Sequence, residues 1–182
     1  MRLVPGPVVS ETAADAAAGV WRALVPVLAG AGRMRVSRDG RTFPARSEQD
    51  LGAVPPAARC TVPVYGPDGS GRVLVLDVDP GRAGGDTAEV ARQAAAIAAL
   101  VGRAGGRAVT DVSTSTGGRH VYVRFAAALP WRELARLARA VAVRYPAVDA
   151  GPMLSAAGPS LVRTRAAAPR LAMLSQRPIA TT

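Results

Sequence analysis

The sequence predicts a single domain of mixed α/β (α+β) class, and three observations support this. Short runs of apolar, often β-branched residues, such as residues 73–76, have the length of buried strands. Longer segments follow in which apolar residues recur at helical spacing, such as residues 90–100. The chain has 182 residues, enough for one domain to bury a core without a metal or disulfide.

The first 58 residues predict one packing helix followed by a basic, irregular segment. Apolar residues recur at helical spacing from Ser10 to Ala29, and Ser10 stands at the N-cap position. Residues 30–58 are rich in glycine, proline and arginine around one short strand. This basic segment could contact a phosphate backbone, and a solvated loop explains it equally well.

The next part of the chain predicts strands that alternate with two helices. Asp86 with Glu89 has the pattern of a helix start, and Pro130 is placed to open the second helix. The predicted elements are strands over residues 61–65 and 72–79 joined by a hairpin turn, a helix from Asp86 to Gly105, strands over 107–113 and 120–125, and a helix from Pro130 to Pro146.

Composition limits the kinds of site that this chain can build. It has one cysteine and one histidine, so neither an internal disulfide nor a Cys/His zinc site can be assembled. No apolar run reaches the roughly 20 residues of a membrane span, and we expect a cytoplasmic protein without a membrane partner. The formal net charge is +10, and all of the basic residues are arginines. This charge favours a polyanion, with nucleic acid ahead of an anionic membrane surface.

Two carboxylates stand at the end of a predicted strand. Asp77 and Asp79 lie two positions apart, so they share one face of the strand, opposite Leu76 and Val78. Carboxylates this close repel each other unless a cation lies between them, and Mg²⁺ or Mn²⁺ prefers such oxygen ligands. A solvated strand end before the Pro-Gly turn is the alternative.

Two further stretches have residue types suited to phosphate chemistry. Residues 114–120 combine hydroxyl side chains and glycines, whose backbone N–H groups can approach an anion, with Arg119 and His120. An ordinary Gly-Gly hairpin with an incidental histidine is the alternative. Asp149 follows an apolar residue and precedes a Gly-Pro turn, so it is either a turn residue or a third carboxylate.

Taken in order, these stretches resemble the archaeo-eukaryotic primase superfamily, in particular the primase-polymerase (prim-pol) catalytic domains of bacteria, plasmids and phages. The family pattern is a strand ending in Asp-x-Asp, a Ser/Thr/Gly-rich turn leading into Gly-Arg-His, and a later hydrophobic residue followed by Asp. It matches residues 76–79, 115–122 and 148–149, and the resemblance covers about residues 60–165.

The resemblance implies a primase-polymerase fold of two fused α/β units, with an RNA-recognition-motif-like (RRM-like) sheet and an open catalytic cleft. It implies a DNA primase/polymerase of a mobile element, which transfers nucleotides from (d)NTPs to a 3′-hydroxyl on a single-stranded DNA template and primer. It also implies a replicative helicase as a partner domain or protein. The division expected is an N-terminal part over residues 1–58, a catalytic core over 59–165 and a tail over 166–182.

The resemblance also implies roles for individual residues. Asp77, Asp79 and Asp149 would be the catalytic residues and hold Mg²⁺ or Mn²⁺, with two ions expected. The residues expected to bind the nucleotide triphosphate are Ser115, Gly117, Gly118, Arg119, His120 and Arg163.

The same residues also partly match other classes of protein. The run Leu-Asp-Val-Asp also resembles the first motif of haloacid-dehalogenase-type phosphatases, but Pro80 and Gly81 replace the usual Gly-Thr and no late acidic pair follows. A rolling-circle nuclease needs a His-x-His pair, which one histidine excludes. The alternative from another class is a non-catalytic nucleic-acid or nucleotide-binding module of a replication protein, which has no need of all three carboxylates.

Overall fold

The computed structural model describes residues 13–39, 42–112 and 117–154. Within these ranges the chain forms three α-helices and two antiparallel sheets. The helices are α1 (Ala13–Leu28), α2 (Thr87–Arg103) and α3 (Trp131–Arg144). The strands are β1 (Arg33–Val36), β2 (Glu48–Asp50), β3 (Cys60–Thr61), β4 (Ser70–Val78), β5 (Ala108–Val112), β6 (Arg119–Pro130) and β7 (Val148–Asp149).

The N-terminal unit consists of α1 and a three-stranded sheet in the order β2-β1-β3. It has a small core of its own, in which Trp21 packs with Met34 and Cys60. Arg33 and Arg35 of the basic segment form ion pairs across β1 and β2 with acidic side chains of β2. Part of the positive charge predicted to be available for phosphate is therefore already neutralised within this sheet.

The second unit has the chain order β4-α2-β5-β6-α3-β7 and a four-stranded sheet in the order β5-β6-β4-β7. This is the β-α-β-β-α-β arrangement, in which each strand pairs antiparallel with its neighbours. The prediction of a mixed α/β fold that contains an RRM-like sheet is confirmed. The division of the chain at residues 58 and 165 stays a prediction.

Local sequence explains where the helices begin. The side chain of Asp86 accepts hydrogen bonds from the backbone N–H groups of Ala88 and Glu89, so it caps α2 as predicted. Pro130 precedes α3, where a missing N–H costs nothing. Both helices bury their apolar stripe in the main core, with Ile97 of α2 and Leu134 of α3 almost fully buried.

The predicted hairpin between residues 61–65 and 72–79 is wrong. The strand before the turn is limited to Cys60–Thr61, and it pairs with β1 in the other sheet. Pro63 follows directly and has no N–H to donate to a ladder. In addition, β4 already has β6 and β7 as its two neighbours.

A close backbone approach joins the two units. Gly30, after the end of α1, donates its backbone N–H to the carbonyl of Pro63 at 2.7 Å. A Cβ atom at Gly30 would lie 2.3 Å from the carbonyl carbon of Tyr65, so only glycine fits. Leu28 of α1 belongs to the main core, which makes α1 shared between the units. No helix in the described part of the chain is long and apolar enough to cross a membrane.

Candidate active site

One row of polar side chains crosses all four strands of the main sheet. Asp77 on β4 pairs in register with His120 on β6 and, on its other side, with Asp149 on β7. His120 pairs in turn with Asp111 on β5. Because directly paired residues of antiparallel strands point to the same face, the four side chains form one row. Three predicted stretches, far apart in sequence, meet on one face of the sheet.

Asp77 and Asp149 are directly paired across β4 and β7. Paired residues of antiparallel strands have Cβ atoms about 4.5–5.5 Å apart, and like charges at this position repel. Asp79 follows Asp77 in extended conformation, and alternation puts its side chain on the same face. The guanidinium of Arg82 donates to Oδ1 of Asp149 at 3.0 Å and supplies one positive charge beside these carboxylates.

The same local turn orients two of the three predicted carboxylates. The backbone N–H of Gly81 donates to Oδ1 of Asp79 at 2.7 Å, and that of Gly151 donates to Oδ1 of Asp149 at 3.1 Å. A Cβ atom at Gly81 or Gly151 would lie 3.3 or 3.2 Å from the same Oδ1, which is tighter than ordinary contact. The glycine two residues after each aspartate therefore fixes where its carboxylate lies.

His120 is held by a hydrogen-bonded cluster next to the carboxylates. Its Nδ1 lies 3.0 Å from Oδ1 of Asp111 and 3.2 Å from the hydroxyl of Tyr122. The Tyr122 hydroxyl donates to the other oxygen of Asp111 at 3.2 Å. On the opposite side of the ring, Nε2 lies 3.9 Å from Oδ1 of Asp77. Only 10% of the His120 side chain is exposed, so these contacts determine its orientation.

The chemistry of the cluster assigns the proton on the imidazole. Burial raises the pKa of Tyr122 well above its usual value, and the charge and hydrogen bond of Asp111 raise it further. The phenol therefore keeps its proton and donates it to Asp111. A carboxylate oxygen can only accept, so Nδ1 of His120 must carry the hydrogen in that contact. The ring nitrogen Nε2 is left facing Asp77.

Sequence reasoning did not single out Asp111 or the hydrogen bond of Tyr122. Alternation does place Tyr122 on the same face as His120, and Asp111 lies inside a predicted strand. The missing information was the register between β5 and β6, which pairs Asp111 with His120. A lone aspartate in a predicted strand gives no indication of its partner.

The structure separates Arg119 from His120. Arg119 pairs with Val78 on β4 and Val112 on β5, so its side chain points to the face of the sheet opposite His120. Gly117 and Gly118 directly precede β6. Gly117 has a φ of 89°, and a Cβ atom there would lie 2.7 Å from Cγ2 of Thr87. Two other predicted triphosphate-binding residues, Ser115 and Arg163, lie outside the described residues.

The three predicted carboxylates match a divalent metal in donor type. Asp77, Asp79 and Asp149 offer oxygen ligands only, which is the donor set that Mg²⁺ and Mn²⁺ prefer. Within residues 13–39, 42–112 and 117–154, no three His, Cys, Asp or Glu side chains lie close enough together to hold a metal ion. The carboxylates therefore fit a divalent metal in their donor chemistry but not in their spacing, and one of them, Asp149, is paired with Arg82. The ligand role of the three aspartates stays a prediction.

Comparison with known proteins finds a likeness among solved structures. No family model and no curated protein matches the sequence. The polymerase domain of ligase D from Mycobacterium tuberculosis, solved in complex with DNA, superimposes with a TM-score of 0.52 at 21% sequence identity. The alignment covers 74% of this chain and 63% of that one, so the chain spans less than two thirds of the solved domain. At this identity the likeness concerns the fold, and the chain has a fold similar to that of a DNA-bound polymerase domain.

Proposed function

We propose that this protein is a DNA-directed primase/polymerase, which transfers nucleotides from (d)NTPs to a 3′-hydroxyl paired with a single-stranded DNA template. One observation carries the proposal: the sheet register aligns Asp77, Asp149 and His120 in a single row. The fold similarity to a polymerase domain solved with DNA supports it, as does the net charge of +10.

In this proposal the three aspartates hold the metal. Asp77 and Asp149 are directly paired across two strands, and alternation puts Asp79 on the same face. Bound Mg²⁺ or Mn²⁺ would lower the pKa of the attacking hydroxyl and neutralise charge on the triphosphate. Without a cation, the paired carboxylates would repel both each other and an incoming phosphate.

His120 contacts the triphosphate in this proposal. Asp111 holds the hydrogen on Nδ1, so the opposite nitrogen, Nε2, faces the carboxylates and a bound substrate, and it donates to a phosphate oxygen only when it also carries a hydrogen. Gly117 and Gly118 directly precede the strand that holds His120, where backbone N–H groups can approach an anion. The residues contribute position and charge, and no covalent enzyme intermediate is needed.

The test is primer synthesis and primer extension on a single-stranded template, with Mn²⁺ or Mg²⁺ and either sugar type. Asp77→Asn and Asp149→Asn should each lower the rate at least about a hundredfold, because each removes a charge from the metal site. Asp50→Asn is the matched control, since Asp50 is an exposed carboxylate in the other sheet. Equal rates for Asp77→Asn and the wild type would overturn the metal-ligand assignment.

A second candidate is a binding module without catalysis. The ion pair between Arg82 and Asp149 favours it, because a carboxylate neutralised by arginine needs no metal. In that case the wild type would bind single-stranded DNA but make no product with any metal, template or nucleotide. Extension activity that Asp77→Asn abolishes would exclude this candidate.

A further inference from the structure

A groove rich in arginine runs between α2 and the C-terminal end of α3. Its volume is about 810 Å³, and the residues after α3, Tyr145 and Pro146, form one wall. One acidic residue, Glu89, lies among the lining residues of this groove. The arginines that line it, here called the groove arginines, are Arg82, Arg92, Arg103 and Arg144.

The floor of the groove is one face of α2. The lining residues Glu89, Arg92, Ala96, Ala99 and Arg103 are spaced so that they fall on the same side of the helix. At about 1.5 Å per residue this face is roughly 20 Å long. Ala96 and Ala99 lie at the centre of this face, and charged residues lie at its two ends. Because the alanine side chains are short, an extended ligand can approach the helix there.

Two of the four groove arginines, Arg82 and Arg92, are in ion pairs, and the other two keep an uncompensated positive charge. Glu89 accepts hydrogen bonds from Arg92 and Gln93, which lower its pKa to about 2, so its charge offsets that of Arg92. Within the described ranges no ion pair involves Arg103 or Arg144, and both residues are exposed. An anionic ligand would therefore find positive charge at both the α2 and α3 sides.

An aromatic ring stands beside this charge. Tyr145 is half-buried, and the guanidinium carbon of Arg144 lies 5.8 Å from its ring centroid. A basic groove that includes an aromatic ring suits a single strand, whose phosphates bind arginine and whose unpaired bases stack.

The groove also reaches the candidate active site. Arg82 lines its end and donates to Oδ1 of Asp149, the last residue of the polar row. A strand that lies along α2 would therefore end beside the carboxylates, which gives the groove a direction relative to the site.

We propose that this groove binds the phosphate backbone of a single-stranded nucleic acid, as a track for the template strand. The proposal rests on the proposed function, which requires a single-stranded template. The groove arginines at its two sides, Arg103 and Arg144, provide the phosphate contacts. Tyr145 provides a surface for a base.

Fluorescence anisotropy with a labelled oligothymidylate tests the proposal on the full chain. The double variant Arg103→Gln/Arg144→Gln removes two groove charges, and the matched control Arg107→Gln/Arg139→Gln removes two exposed charges that do not line the groove. Removing two phosphate contacts should reduce the slope of log K against log salt by about 1.4. Affinity should fall about tenfold for the groove variant and stay near the wild-type value for the control.

Other results would overturn the proposal. Equal losses in the groove and control variants would indicate a general charge effect. A groove variant that loses affinity for a free nucleoside triphosphate, but not for the oligonucleotide, would assign the groove to a small anion. Primer extension is measured in parallel. If the wild type extends primers and the groove variant binds DNA as tightly as the wild type, only the groove proposal is refuted. If the wild type is inactive but the groove variant binds DNA more weakly than the wild type, only the polymerase proposal is refuted.

Discussion

Asp111 Oδ1 lies 3.0 Å from Nδ1 of His120, the single histidine of the chain, and thereby directs Nε2 toward Asp77. The pairing comes from the register of β5 with β6 and involves residues nine positions apart. It makes Asp111 a positioning residue for the proposed triphosphate contact.

We predict that Asp111→Leu inverts the tautomer of neutral His120. Without the carboxylate, the Tyr122 hydroxyl at 3.2 Å would donate to Nδ1, and the ring proton would move to Nε2. Asp111→Asn should keep the wild-type tautomer, because its amide oxygen can still accept from Nδ1. Nitrogen-15 NMR reads this directly, since one histidine gives one imidazole signal set. A wild-type protein with its proton on Nε2 would contradict the prediction.

We predict that Arg82→Ala strengthens Mn²⁺ binding several-fold. The substitution removes from Asp149, the strand partner of Asp77, the arginine that competes with a metal ion for its carboxylate. The pair is half-exposed, so the free energy of unfolding without metal should change by less than about 1 kcal/mol. Titration calorimetry with Mn²⁺ measures the effect.

The control for this prediction is Arg136→Ala, which removes an exposed ion pair with Glu133 on α3. It should leave Mn²⁺ affinity unchanged. Weaker Mn²⁺ binding by Arg82→Ala would mean that Arg82 organises the carboxylates instead of competing with the metal.

Two parts of the site differ in how far sequence could predict them. That Asp77 and Asp79 share a face follows from strand alternation, which is local and therefore visible in sequence. The pairing of Asp77 with Asp149 depends on which edge of β4 pairs with β7. Asp149 lies more than 70 positions after Asp77 in the sequence, so local patterns do not indicate this pairing. The resemblance to prim-pol domains supplied Asp149 as a site residue, whereas its local sequence alone favoured a turn residue.

The difference between local and long-range information also explains which parts of the fold were predicted. The start of α2 at Asp86 was predicted because a capping side chain and its partners lie within one turn. The hairpin prediction failed because the glycine-rich turn at residues 66–71 is compatible with many strand partners. In the structure β6 and β7 pair with the two edges of β4, so no edge is left for the predicted hairpin partner.

We predict that Gly151→Ala lowers the extension rate roughly tenfold without unfolding the protein. The new Cβ would lie 3.2 Å from Oδ1 of Asp149, so the carboxylate must move by a few tenths of an ångström. Displacements of this size at a reacting centre reduce rates strongly. Steady-state extension kinetics and a thermal melt measure the two effects.

Gly102→Ala is the control for Gly151→Ala, because no atom lies within 4 Å of a Cβ at Gly102. That substitution should leave the rate unchanged and stabilise α2 by up to about 1 kcal/mol. A Gly151→Ala variant as active as Gly102→Ala would show that the position of the Asp149 carboxylate is not critical.

We predict that Tyr65→Phe reduces the loss of stability at alkaline pH. Burial raises the pKa of Tyr65 to about 12, against about 10 in the unfolded chain. The folded state therefore holds the phenolic proton more tightly. Its stabilising contribution is complete below pH 10 and is lost as the pH rises through 12, by at most about 1.4 kcal/mol per pH unit.

The substitution also removes a contact at neutral pH. The Tyr65 hydroxyl donates to the carbonyl of Met153 at 3.0 Å, shortly after Asp149, so its loss should cost about 1–2 kcal/mol. Urea unfolding at a series of pH values from neutral to about pH 11 separates the two effects, since only the wild type should have the additional alkaline slope from Tyr65. Equal alkaline slopes in the two proteins would show that Tyr65 ionises alike in the folded and unfolded states, and that burial does not hold its proton.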